Sequence, residues 1–144
     1  MNIERFELTV GELSKNYRDL GEGGVTGYSG RLNIRPAYQR EFVYGDRERD
    51  AVISSIVKGF PLGTMYWAEG SNGMFELLDG QQRTISICRF VNNEFSIEFE
   101  TGRPMYFRNI ADTELGKRIL DYTLFVYICR DGDRTERYNW FRTI

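Results

Sequence analysis

The sequence contains no histidine. This removes His-based general acid–base catalysis, the Ser-His-Asp and Cys-His arrangements, the His-Glu-x-x-His zinc site and any HNH-type nuclease centre. Chemistry on this chain falls to carboxylates, Arg, Lys, Tyr, backbone amides or a carboxylate-bound Mg²⁺. Cysteine is scarce as well. Cys88 and Cys129 have no CxxC spacing and each sits in an apolar run, so both read as buried free thiols. No stretch approaches the ~18 consecutive apolar residues of a membrane span. Met1 to Val10 carries Glu4 and Glu7 and lacks an apolar signal core, so a cytoplasmic protein with no membrane partner is expected. There is no excess of positive charge either. The formal charge is -2, so the surface as a whole does not attract nucleic acid, although 19 Lys and Arg leave room for a local basic patch.

What is present suits one folded domain over residues 1–144. Hydrophobic residues make up 41% and aromatics 15% of the chain, enough for a core. Thr9 with Glu12 forms a capping-box pattern, and Leu13, Tyr17 and Leu20 follow at helical spacing, predicting a helix near 10–20. "GEGGVTGYSG" reads as a loop, and "RLNIRPAYQREFVY" as extended, because Pro36 excludes a helix interior. "GDRERDAVISSIVKGF" predicts a helix capped by Asp46, apolar at Val52, Ile53, Ile56, Val57 and Phe60, and stopped by Gly59 and Pro61. "GTMYWAEG" and "MFELLD" predict a hairpin, followed by a helix near 80–92. "EFSIEFE" alternates as a strand, "TELGKRIL" reads as a helix and "TLFVYICR" as a buried strand. A second capping box, Asp133 with Glu136, opens a final helix with Tyr138, Phe141 and Ile144 on one side. That helix stops without a cap, so the domain is expected to be cut short at its C-terminal end. This order of elements predicts an α+β fold, a small mixed β-sheet flanked by helices.

One stretch needs more than a fold to account for it. In "LLDGQQRTIS" an apolar strand gives way to a helix through Asp79, Gly80, Gln81, Gln82 and Arg83. Asp79 as N-cap and Gln82 three residues on would make a variant capping box. That leaves Gln81 and Arg83. At ~100° per residue both project near the edges of the apolar half formed by Ile85, Ile87, Cys88, Phe90 and Val91, where polar side chains need partners. A helix N-terminus offers free amides and partial positive charge, Arg83 adds forked donors, and Gly80 permits close backbone approach. Phosphate binding is one reading; a structural cap with a buried Arg–carboxylate pair is the other. A second cluster, Arg35, Tyr38, Gln39 and Arg40 in "RPAYQRE", could reach the same polyphosphate through Arg40, with Tyr38 as a stacking wall, or could be an exposed basic loop.

Taken together these stretches resemble the N-terminal domain of GmrSD-type restriction endonucleases. Pro36, Tyr38, Gln39 and Arg40 match that family's P-x-Y-Q-R. Ser55, Ile56, Gly59, Pro61, Leu62 and Gly63 match its second segment, and Asp79 to Arg83 its D-G-Q-Q-R. The resemblance covers about residues 10–144 and implies a fold similar to ParB and sulfiredoxin. It further implies a Mg²⁺-dependent module that binds and hydrolyses nucleoside triphosphates, within a phage-defence system that cuts modified DNA through a separate HNH-type nuclease domain or subunit. The family continues past the final helix with an asparagine, just where this sequence stops at Ile144.

On that basis Arg83 and Arg40 would hold phosphates with the amides near Gly80 and Gln81. Asp79 would hold Mg²⁺ or orient the attacking water, and Gln81 or Gln82 would complete the hydrogen bonds. Tyr38 and Gln39 would shape the nucleotide edge, and Arg35 and Arg40 would face DNA. Two other readings stand beside this one: a DNA-binding module without catalysis, and a subunit using nucleotide only as a switch. A sulfiredoxin-like reductase is disfavoured, because neither cysteine lies in the turn. A homodimer is compatible with the sequence but not specified by it.

Overall fold

The computed structural model describes residues 2–35, 44–70, 72–100 and 102–130, with Glu136, Asn139, Trp140 and Arg142 further on. Its elements form where local chemistry and long-range pairing agree. Thr9 caps α1 (Val10–Ser14): its hydroxyl accepts from the Glu12 amide at 3.1 Å while the Glu12 carboxylate accepts from the Thr9 amide at 3.0 Å. The helix is shorter than its apolar spacing predicts. Asn16 takes a left-handed conformation, φ 57°, and the chain turns into the short strand β2 (Arg18–Asp19). The glycine-rich stretch holds a 3-10 turn (Gly21–Gly23) and β3 (Val25–Gly27), followed by β4 (Leu32–Arg35).

Helix α2 (Asp46–Lys58) buries Val52, Ile53 and Ile56. Its N-cap is Gly45, one residue before the expected Asp46, with no side-chain cap bond. Asp46 instead serves the first turn as a dipole-favoured acid, 3.5 Å from Arg49. The predicted stop holds. Gly59 is left-handed at φ 72°, and the Phe60 amide bonds the Ser55 carbonyl at 2.9 Å.

The predicted hairpin is β5 (Met65–Glu69) and β6 (Phe75–Asp79), leading into α3 (Gln81–Val91). "EFSIEFE" supplies only β7 (Ile97–Glu98), paired with β8 (Pro104–Met105). Helices α4 (Phe107–Ile110) and α5 (Glu114–Asp121) precede β9 (Thr123–Arg130). The last predicted helix lies largely outside the described residues; the four described there are helical. Among the described residues no helix is long and apolar enough to cross a membrane.

An N-terminal strand, β1 (Asn2–Thr9), pairs with β9 over its whole length and completes a seven-stranded sheet in the order β1-β9-β5-β6-β4-β3-β2. Pairs β4/β6 and β5/β9 are parallel and the rest antiparallel, so the fold is α+β with a mixed sheet, as predicted. One face carries Leu8, Met65, Trp67, Leu124, Val126 and Ile128 against α1, α3 and their neighbours. Trp67 sits at its centre, fully buried, with the Phe75 and Tyr28 rings 5.5 Å away. Burying one such side chain contributes about 2–3 kcal/mol. The opposite face carries Tyr66, Phe125 and Tyr127, with Trp140 edge-on to Tyr66 at 5.5 Å.

Candidate functional site

The turn from β6 into α3 is built around a glycine. Gly80 has φ 102°, and a Cβ there would lie 2.7 Å from the Met65 Cγ. The position therefore excludes side chains twice, by conformation and by space. Gly80, not Asp79, is the N-cap of α3, with no side-chain cap bond. The expected Asp79–Gln82 capping box is absent, because Asp79 is the last residue of β6, paired with Tyr66, and its carboxylate is half exposed. Thr84 secures the turn instead, its hydroxyl donating to the Gly80 carbonyl at 2.8 Å.

Gln81, Gln82 and Arg83 each reach a different segment. Gln81 Nε2 donates to the Ile34 carbonyl at 3.0 Å, on β4. Gln82 Oε1 accepts the Tyr44 amide at 3.0 Å. Arg83 donates through Nη1 to the Gly63 carbonyl and through Nη2 to the Thr64 carbonyl at 3.3 Å, with the Asp79 carboxylate 4.0 Å away. A Cβ at Gly63 would lie against this guanidinium, so a larger residue there would require Arg83 to shift. Two of the sequence clusters thus meet through side-chain-to-backbone bonds.

The third cluster joins by its ends. Ile34 and Tyr44 flank residues 36–43, which carry Tyr38, Gln39 and Arg40. Those three lie outside the described residues. Gln81 and Gln82 hold the two feet of that segment beside the first turn of α3. Arg35 is placed differently from the expected DNA-facing residue. It is buried, with 3% exposure, its Nη2 donating to the Gly21 carbonyl at 2.6 Å and lying 3.9 Å from Asp19. Asp19 also takes Arg89 at 3.4 Å, so this guanidinium belongs to the packing between β4, the Gly21 turn and α3.

Tyr122 was not signalled by any motif. Its hydroxyl donates to the Phe60 carbonyl at 2.5 Å and accepts the Leu62 amide at 3.1 Å, pinning the segment that Arg83 grips from the other end. Among the described residues no three His, Cys, Asp or Glu side chains converge on a metal position. The cysteines stand apart from the site. Both are buried, and burial, with a smaller effect of Glu94, pushes the Cys88 thiol far above its usual range.

The arrangement offers a helix N-terminus whose first intrahelical bond is Thr84 to Gly80, a guanidinium at its third position and one carboxylate at its mouth. Comparison with known proteins agrees with the motifs. Residues 24–144 match the family described as the GmrSD restriction endonuclease, N-terminal domain. No curated protein and no solved structure matches the chain. The match spans most of the sequence, so the chain belongs to the GmrSD restriction endonuclease N-terminal domain family and is part of a restriction, phage-defence system.

Proposed function

We propose that the first turn of α3 and the segment 36–43 together form a nucleoside-triphosphate site, and that the chain is the nucleotide-hydrolysing module of its restriction system. The observation that carries this reading is the pair of glutamines. Gln81 and Gln82 fasten both feet of the segment bearing Tyr38, Gln39 and Arg40 beside a helix N-terminus. A triphosphate bound there would meet amides with partial positive charge and the Arg83 guanidinium, and Arg40 is the second cation proposed to serve it. Arg83 has five N–H donors, and the carbonyls of Gly63 and Thr64 engage two nitrogens, so phosphate contacts remain available to it.

The reaction is transfer of the terminal phosphoryl group to water. Water oxygen bonds to phosphorus, the bond to the bridging oxygen breaks, and nucleoside diphosphate and phosphate leave. Asp79, half exposed at the mouth of the turn, would orient that water. A lone carboxylate suits Mg²⁺, which commonly binds through one or two carboxylates, substrate phosphates and water. Asp79 would hold it through water, and the ion would supply neutralisation of phosphate charge. Gln81 and Gln82, engaged with backbone, act as positioning residues rather than as water ligands. Family membership supports DNA and a nuclease domain as partners; modified DNA as the target is part of this proposal.

The test is a titration of ATP, GTP, CTP and UTP with Mg²⁺ beside a phosphate-release assay, on the wild type and Asp79→Asn. Binding and release by the wild type, with release lost and binding kept in Asp79→Asn, supports the reading. Binding without release leaves a nucleotide switch. No binding to any nucleotide refutes the site, and salt-dependent DNA binding would then be measured next.

A further inference from the structure

The sheet has a long open edge. Among the described residues β1 has β9 on one side and no strand on the other, and Asn2 to Arg5 and Glu7 are exposed. Its backbone alternates. The Val10 amide, just past the strand, bonds the Tyr122 carbonyl at 3.0 Å, in line with the β1/β9 register, so even-numbered residues turn their amides and carbonyls to β9. The odd-numbered Ile3, Arg5, Glu7 and Thr9 turn theirs outward. Consistent with this, the Thr9 amide bonds the Glu12 carboxylate and not β9.

We propose that this edge pairs, antiparallel and about a two-fold axis, with β1 of a second copy of the chain. The axis stands perpendicular to the sheet, so residues facing each other lie on the same face and the register must centre on a residue. Four centres keep most of the strand paired. Centring on Glu4 or Glu7 sets a glutamate against its own copy, and centring on Arg5 sets arginine against arginine. Like charges directly opposite are destabilising. Centring on Phe6 places Arg5 opposite Glu7 of the second copy, twice by symmetry, and Phe6 opposite its copy. In that register Arg5 and Glu7 are a hydrogen-bonded pair that exchanges both outward N–H···O bonds. Their side chains are ready for it. Arg5 and Glu7 lie on one face, 4.0 Å apart and well exposed, with Arg5 held over the Phe125 ring at 5.0 Å. Glu4, on the other face and held by Arg130, faces Leu8 of the second copy. Phe125 and Tyr127 of both copies then line one continuous sheet face.

The charge pattern gives a test that separates association from folding. Sedimentation equilibrium of the wild type should show a monomer–dimer equilibrium. Arg5→Glu and Glu7→Arg each place like charges opposite twice, and each alone should raise the dissociation constant about tenfold. An equimolar mixture of the two variants restores both pairs and should associate as the wild type does. Amide exchange resolves the same register: the Arg5 and Glu7 amides should gain protection with protein concentration, whereas Phe6 and Leu8 should not change. A monomer at every concentration overturns the proposal. So does a dimer indifferent to both variants, which would use another surface.

Discussion

Removing the Arg83 guanidinium is the perturbation that separates scaffold from ligand site. Arg83→Ala deletes the bonds to the Gly63 and Thr64 carbonyls and the 4.0 Å approach to Asp79. A hydrogen bond from a charged donor contributes about 1.5–3 kcal/mol, and the longer Thr64 bond sits at or below the low end of that range. Gly63 is exposed and Thr64 half-buried, so water can take over part of what is lost. The exposed Asp79 pair adds under about 0.5 kcal/mol. The sum is about 2 kcal/mol, or roughly 4–8 °C in Tm for a chain of this size. This is larger than the near-zero change a purely ligand-facing arginine would give. Urea unfolding of wild type, Arg83→Ala and Arg83→Lys measures it, with the slope m checked for constancy. Arg83→Lys keeps the charge but can serve one carbonyl, and should recover about half of the loss. A loss under about 0.5 kcal/mol would show that Arg83 does not hold the Gly63–Thr64 segment, since even one weak bond is worth that much. If Arg83→Lys restores stability without nucleotide binding, the forked donors are needed for phosphate and not for the fold.

Gly80→Ala should cost about 2 kcal/mol or more, because φ 102° is strained for alanine and its Cβ meets Met65. Combined with Met65→Ala, the two losses should sum to less than their separate values by thermal unfolding, since the collision is then gone. Burial raises the Tyr17 phenol to about 12, with a smaller effect of Cys88. Its folded-state pKa lies above its unfolded one, so the associated stability is whole below about pH 10 and is lost as pH rises towards 12. Tyr17→Phe should therefore show a shallower alkaline decline in its urea midpoint. Cys88 and Cys129 are buried, so a thiol reagent should label the native chain only as fast as it opens, and the rate should climb with denaturant.

Much of this fold was legible where a local signal and tertiary packing agree. The Thr9–Glu12 box, the Gly59 stop and the Met65–Asp79 hairpin are of that kind. Strand β1 was not legible, because Glu4, Arg5 and Glu7 mask its alternation and its stability comes from β9, far along the sequence. The helix at Val10 is shorter than its pattern, because Leu13, Tyr17 and Leu20 keep helical spacing through Asn16, whose left-handed backbone ends it. At the site, the need of Gln81 and Arg83 for partners followed from their place on the helix. The partners themselves are the backbone groups of Ile34, Gly63 and Thr64, which carry no side-chain signature. Asp79 looked like a cap because aspartate favours that position, yet the left-handed Gly80 moves the helix start one residue on. Arg35 looked like part of a basic loop, and only the fold shows Asp19 waiting for it.

The pairing of β1 with β9 also sets a timetable for synthesis. Residues 2–9 are made well before their partners at residues 123–130. At ~5–20 residues per second, translation leaves the N-terminal strand waiting roughly 6–25 s before β9 exists. The parallel β5/β9 pair waits with it, so the middle of the sheet, from β5 outward to β1, closes only after nearly the whole described chain has emerged. Closure of this part of the sheet is therefore a late event in the folding of these residues, and β1 is the strand most in need of shielding by a chaperone during that interval.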